Sequence, residues 1–275
     1  MFLRACATVL ALASGVLSAE RAAAQPDGLT RLVELIGLPE IVQVMREEGV
    51  DYGATLAEEM LPAGASGQWE RTVSRIYDPA RMAATVRDGF VAAMEDVDPG
   101  PLIAFFDTEA GQRLVALEVS ARRAMMDEDV EAAAREDYLA RAADPDETFR
   151  LVRDFVQAND LVEANVVGAL NSNFAFYRGL ADGGALEMTE GEMLADVWAQ
   201  EEETRADTRE WLYGFLLMAY DPVSAEVLQR YVTLSETEAG RAMNRALFAG
   251  FDRMYAEISY ALGLAIAREM QATEL

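Results

Sequence analysis

From residue 243 to residue 266 the chain reads MNRALFAGFDRMYAEISYALGLAI. Met243, Leu247, Gly250, Phe251, Met254, Ile258, Leu262 and Ile266 recur every three or four residues, which puts them on one side of a helix of about 3.6 residues per turn. One face of a long helix is therefore apolar. The same spacing runs from Phe149 through Phe155, Val162, Val166 and Leu170, and from Trp198 to Phe215 around an acidic outer face. No short window alternates with the β-branched and aromatic richness of a strand. The spacing predicts an all-α, multi-helix bundle.

Proline marks where helices begin. Asp78-Pro79, Asp98-Pro99, Asp144-Pro145 and Asp221-Pro222 each precede a run compatible with helix. Asp accepts from the first free amides, and proline at the first helical position has φ preset and lacks only an N–H that has no partner there. Leu38-Pro39-Glu40 reads as a start with a weaker cap. Ala142-Ala143-Asp144-Pro145-Asp146 is the expected joint between two halves, residues 25–143 and 144–275.

Ahead of these helices, Met1 to Arg4 is followed by an almost wholly small and apolar stretch from Ala5 to Ala19, then Ala22, Ala23, Ala24 and Gln25. One basic residue, an apolar run too short for a stable span, and small side chains at Ala22 and Ala24 are the pattern of a secretory signal over residues 1–24. Cleavage is expected before Gln25, with Ala19 as the alternative, which implies a periplasmic product. Cleavage removes Arg4, Arg21, Glu20 and Cys6, leaving 21 basic and 47 acidic residues, a net charge of -26 and no cysteine. No later stretch has the length and apolarity of a membrane span.

All 23 basic residues of the chain are arginine, and there is no histidine. Beyond the signal the chain thus has no thiolate nucleophile, imidazole base, Schiff-base amine or zinc site of the usual nitrogen and sulfur kind. The acidic balance also argues against nucleic acid and anionic headgroups as partners, since both require basic side chains.

One motif occurs twice. Thr108-Glu109-Ala110-Gly111-Gln112-Arg113-Leu114 is echoed by Thr237-Glu238-Ala239-Gly240-Arg241-Ala242-Met243. Each copy follows an Asp-Pro pair and a short apolar segment with aromatics, Leu102 to Phe106 in one and Val227 to Tyr231 in the other. The spacing predicts a helical hairpin in which Thr108 and Thr237 cap, Glu109 and Glu238 favour the helix dipole, and Ser235 with Glu238 forms a capping box. Gly111 and Gly240 would let the new helix approach its neighbour beneath the aromatics. An export signal with an Asp-Pro helix and a Thr-Glu-Ala-Gly helix resembles the bacterial exported family catalogued as domain of unknown function twenty fifty-nine, in two copies over Pro39 to Glu136 and Asp144 to Met270. The resemblance implies an α-helical periplasmic domain and carries no activity.

The remaining polar constellations read as structural. Asp127-Glu128-Asp129 and Glu201-Glu202-Glu203 are expected to be solvated faces, because consecutive carboxylates on a helix point in different directions. Asn165, Asn171 and Asn173 with Phe174, Phe176, Tyr177 and Arg178 read as a helix end near Gly179 and Gly183-Gly184, or else as the lining of a small polar pocket. No catalytic, cofactor-binding or metal-ligating residue is singled out. The leading expectation is a non-catalytic helper or interaction module of the cell envelope with a protein partner. The alternatives are a carrier of an apolar ligand between helices and a carboxylate-only hydrolase or lyase acting on envelope glycans, which needs a carboxylic acid of raised pKa in an aromatic-lined cleft.

Overall fold

The structure, a computed structural model, describes residues 27–61 and 64–273. The expected signal and its cleavage site lie outside them. The described residues are helical and contain no strand. A short helix over 27–35 (α1) leads into α2 (Leu38–Met60), α3 (Gly67–Ile76), α4 (Pro79–Ala93), α5 (Gly100–Phe106), α6 (Glu109–Ala124) and α7 (Glu128–Ala143). Then follow α8 (Glu147–Ala158), α9 (Leu161–Asp182), α10 (Glu190–Ala199), α11 (Glu201–Tyr220), α12 (Ala225–Ser235) and α13 (Glu238–Thr273). No helix among the described residues is long and apolar enough to cross a membrane.

The apolar face that opens at Met243 makes α13 the spine of this bundle. It packs chiefly against α9 and α4, and Met254, Ile258, Leu262 and Ile266 are all buried. The two crossings are closer than side chains permit. A methyl carbon on Gly250 would lie 2.5 Å from the Val86 carbonyl oxygen, and one on Gly263 would lie 2.2 Å from that of Phe176. Gly89 and Gly179 face these two glycines from α4 and α9, so at each crossing backbone rests on backbone. The core is continuous across the chain: Trp69, Phe90 and Phe106 belong to the same buried cluster as Val152, Tyr220 and Ile266. The expected joint at 143/144 is the turn between α7 and α8.

The caps correct part of the sequence reading. Asp78 accepts from the Arg81 amide at 2.9 Å and starts α4 as expected. Asp98 accepts from the Gly100 amide at 2.9 Å at the start of α5. The other two Asp-Pro pairs start nothing. Asp144 ends α7, and Asp146 caps α8 by accepting from the Phe149 amide at 2.8 Å. Asp221 ends α11, and Ser224 caps α12. In both places a second capping residue stands two or three positions further along the chain, and the helix begins there. Asp146 and Asp221 are instead drawn together by Arg141 of α7, whose guanidinium lies 2.8 Å from each and 3.3 Å from Asp137.

Two runs expected to be continuous are broken. The Phe149-to-Leu170 stretch divides at Asn159 and Asp160, where Asp160 adopts a left-handed φ of 51°. Buried Asn159 holds that break, its amide donating to the Phe155 carbonyl and its carbonyl accepting from the Asn244 amide at 2.6 Å. The Trp198-to-Phe215 stretch divides at Gln200, between α10 and α11.

Candidate functional site

The repeated motif folds alike in both places. Thr108 Oγ1 accepts from the Gly111 amide at 3.0 Å and donates to the Phe105 carbonyl at 2.7 Å. Thr237 Oγ1 accepts from the Gly240 amide at 3.0 Å and donates to the Leu234 carbonyl at 2.6 Å. Ser235 forms no capping box: it is buried and donates to the Tyr231 carbonyl one turn back. A capping box forms instead at Thr189 and Glu192, opening α10. Glu109 and Glu238 lie in the first turns of α6 and α13, where the helix dipole favours a carboxylate.

The two copies meet through their aromatics. Phe105 stacks on Tyr231 with centroids 5.5 Å apart, and Phe106 meets the same ring edge-on at 5.8 Å. Phe155 and Tyr220 close the group, each within 6.3 Å of Tyr231. Into this aromatic chamber α6 sends Glu118. The Tyr220 hydroxyl donates to its carboxyl at 2.5 Å, and Tyr231 also hydrogen-bonds to it. The residue as a whole keeps some contact with solvent, but the carboxyl lies among rings. Desolvation pushes its pKa up to about 7 against the smaller opposing effect of the two phenols. Burial and the neighbouring carboxylate push both phenols well above the ordinary tyrosine value.

One turn further along α6 the electrostatics reverse. Arg122 holds Glu48 of α2 through two hydrogen bonds of 2.8 and 2.7 Å, bonds to Tyr255 of α13, and sits 5.5 Å over the ring of Trp211. Burial opposes its charge, but Tyr255 and Glu48 more than offset this and raise its pKa. So α6 carries side by side an acid that burial keeps protonated towards neutral pH and an arginine clamped in its charged form.

Glu118 has the raised pKa that acid catalysis requires, yet the rings that raise it also enclose it. A groove of about 430 Å³ beside α6 lies along another face of the helix and is lined by Leu35, Val115, Ala116 and Val119 together with Glu34, Glu40, Gln112 and Arg123. Glu118 is not among its walls. The sequence reading missed this centre, although one signal was present. Gly111, Leu114, Glu118, Ala121 and Met125 form a single stripe at three- and four-residue spacing, and Glu118 is the acid on it.

The residues weighed from sequence fall elsewhere. Asp127 caps α7 by accepting from the Asp129 and Val130 amides, with Glu128 and Asp129 in the first turn. Glu201 to Glu203 open α11, and Glu201 pairs with Arg205. No group of three or more metal-binding side chains occurs among the described residues. The asparagine cluster is mid-helix and no helix end: α9 runs on to Asp182 and stops at Gly184, whose φ of 79° permits the turn. Asn171 and Asn173 are exposed, Asn165 donates to the Leu161 carbonyl, and Tyr177 donates to Asp196 at 2.9 Å.

That last bond ties α9 to α10. The inner face of α10 buries Met193 and Val197. Its outer face presents Leu194, 40 % exposed, and Trp198, 61 % exposed, one turn apart, with Gly191, Ala195 and Ala199 alongside. A surface helix with one packed apolar face normally turns polar side chains outward, and α10 does so only in part, with Glu190, Glu192 and Asp196 beside the exposed Leu194 and Trp198. Comparison with known protein families, with curated proteins and with solved structures finds no match, so the resemblance to an exported helical family rests on the repeated motif and its context.

Proposed function

We propose that the protein is a non-catalytic helper of the bacterial cell envelope, exported to the periplasm by residues 1–24, which acts by binding another protein through the outer face of α10. The observation that carries this reading is the exposed Leu194–Trp198 pair on a helix whose opposite side is already packed. Large aromatic side chains are among the residues that most often anchor protein contacts, and Trp198 adjoins a second exposed apolar side chain, Leu194, one turn away on the same helix. The lack of cysteine, histidine and lysine beyond the signal and the enclosure of Glu118 support a role without chemistry. The groove beside α6 gives an apolar-ligand carrier less support, because its lining includes Glu34, Glu40, Gln112 and Arg123. The repeated motif further supports descent from a duplicated helical unit.

A photo-crosslinking amino acid placed at position 198 in living cells tests the proposal. A discrete adduct with one envelope protein is the expected result. Adducts at exposed control positions such as Leu139 but none at 198 would overturn it.

A further inference from the structure

The surroundings of α10 specify what covers it. Residues 182–207 contain nine carboxylates, and Arg205 is the one basic residue among them. Arg205 is not available to a partner: it lies 2.6 Å from both Glu163 and Glu201. Glu190 in the first turn of α10 and Glu202 and Glu203 in the first turn of α11, the helix that follows, stand exposed, and a methyl carbon added at Gly191 would meet nothing within 4 Å. Asp207 is paired with Arg135 and Glu201 with Arg205, but the stretch as a whole stays acidic, so the face is a narrow apolar strip with room for close helix approach on a negatively charged segment.

We propose that the occupant is an amphipathic helix of another protein, with an apolar stripe that packs on Leu194 and Trp198 and basic side chains flanking it. This rests on the interaction reading of α10 and adds the chemistry of its partner. A second copy of this chain carries the same charge and is repelled, as is an anionic lipid surface. A basic helix satisfies both parts of the surface at once. Its leucine-like stripe covers the indole in the manner of helix-on-groove recognition, and its cations answer the glutamates of the same segment. Rim charge of this kind chiefly raises the association rate and weakens with salt, whereas the buried apolar anchors set residence time.

Calorimetric titration of the purified protein with a designed leucine–lysine helix of about 18 residues, leucines at the i, i+3, i+4, i+7 positions, tests this. One-to-one binding is expected, roughly tenfold or more weaker for Leu194→Ala/Trp198→Ala, a variant that keeps the charge. Both substituted side chains are exposed, so circular dichroism melting should match the wild type. Equal binding by the double variant would reduce the interaction to general charge attraction and overturn the proposal. So would equal binding of a leucine–glutamate helix, or binding of phosphatidylglycerol vesicles in place of the peptide. A crosslink at 198 to a partner whose contacting surface is acidic or uncharged would preserve the interaction reading and sink only the basic helix; failure of crosslink and peptide together would sink both.

Discussion

Phe105 and Tyr231, the aromatics that precede the two Thr-Glu-Ala-Gly turns, stack on one another with their planes 14° from parallel. The stack joins α5 to α12 and forms one wall around the Glu118 carboxyl. The protein's pH response should start there.

Because the folded state holds the Glu118 proton to about 7 and an unfolded chain releases it near 4.3, the folded state binds more protons between those values. Stability is therefore expected to fall as pH rises from about 4.3 to 7, by at most about 4 kcal/mol from this group. Glu118→Gln removes the titration and keeps a carbonyl to accept from Tyr220. Thermal melting at pH 8 should show the variant more stable than the wild type, with the advantage vanishing towards pH 5. A wild-type advantage at pH 8 would mean that the carboxylate is better solvated than the rings suggest.

The two motif glycines should refuse even alanine. A methyl carbon on Gly111 would lie 2.4 Å from the Phe105 carbonyl oxygen, and one on Gly240 would lie 2.1 Å from that of Leu234. Alanine gains about 1 kcal/mol of helix propensity over glycine, but a clash with fixed backbone costs about 1 to 3 kcal/mol. Gly111→Ala and Gly240→Ala are expected to melt earlier, whereas Gly191→Ala, which meets no neighbour, should hold or gain stability. Denaturant titration of the three variants orders them; a stabilised Gly240→Ala would show that the hairpin opens at little cost.

Arg141 gathers Asp137, Asp146 and Asp221 from three places in the chain. Arg141→Met leaves those carboxylates facing one another and should cost about 1 to 3 kcal/mol at neutral pH, the scale of hydrogen bonds to charged groups. Asp146 is held below the ordinary aspartate range by the Phe149 amide and then by Arg141. Its stabilising contribution is therefore present above the unfolded aspartate value and lost as pH falls through the lower folded one. Urea titrations should show the variant and wild type converging as the pH is lowered below about 4; a gap that persists there would assign the loss to packing of the arginine stem.

Local signals made much of this fold legible. The stripe from Met243 to Ile266 gave the spine, and Thr108, Thr237 and Asp78 cap where their spacing says they should. What escaped was settled by contacts between distant residues. Asp221-Pro222 is as good a start on paper as Asp78-Pro79, but Asp221 ends α11 and bonds to Arg141, 80 residues away, while Ser224 caps the next helix. The break at Asn159 is held by Asn244 from another helix. Glu118 meets its phenol 102 residues along the chain, so nothing near it in sequence distinguishes it from a solvated acid except its place on the buried stripe. The α10 surface was hidden for the opposite reason: Leu194 and Trp198 look like core residues until the fold leaves them outside.

The spine also fixes the order in which the molecule can become complete. Met82, Val86 and Phe90 of α4 are buried, and α13, which crosses them at Gly250, is the last helix of the described chain. Until that segment is in place, wherever the chain folds, part of an apolar helix face from the first third of the protein is covered chiefly by α2. A chain in this condition is open to misassociation and is a natural client for holding chaperones. Completion of the early helices thus waits on the final one, and a chain truncated before residue 250 should bind hydrophobic dyes and be cut by protease faster than the full chain.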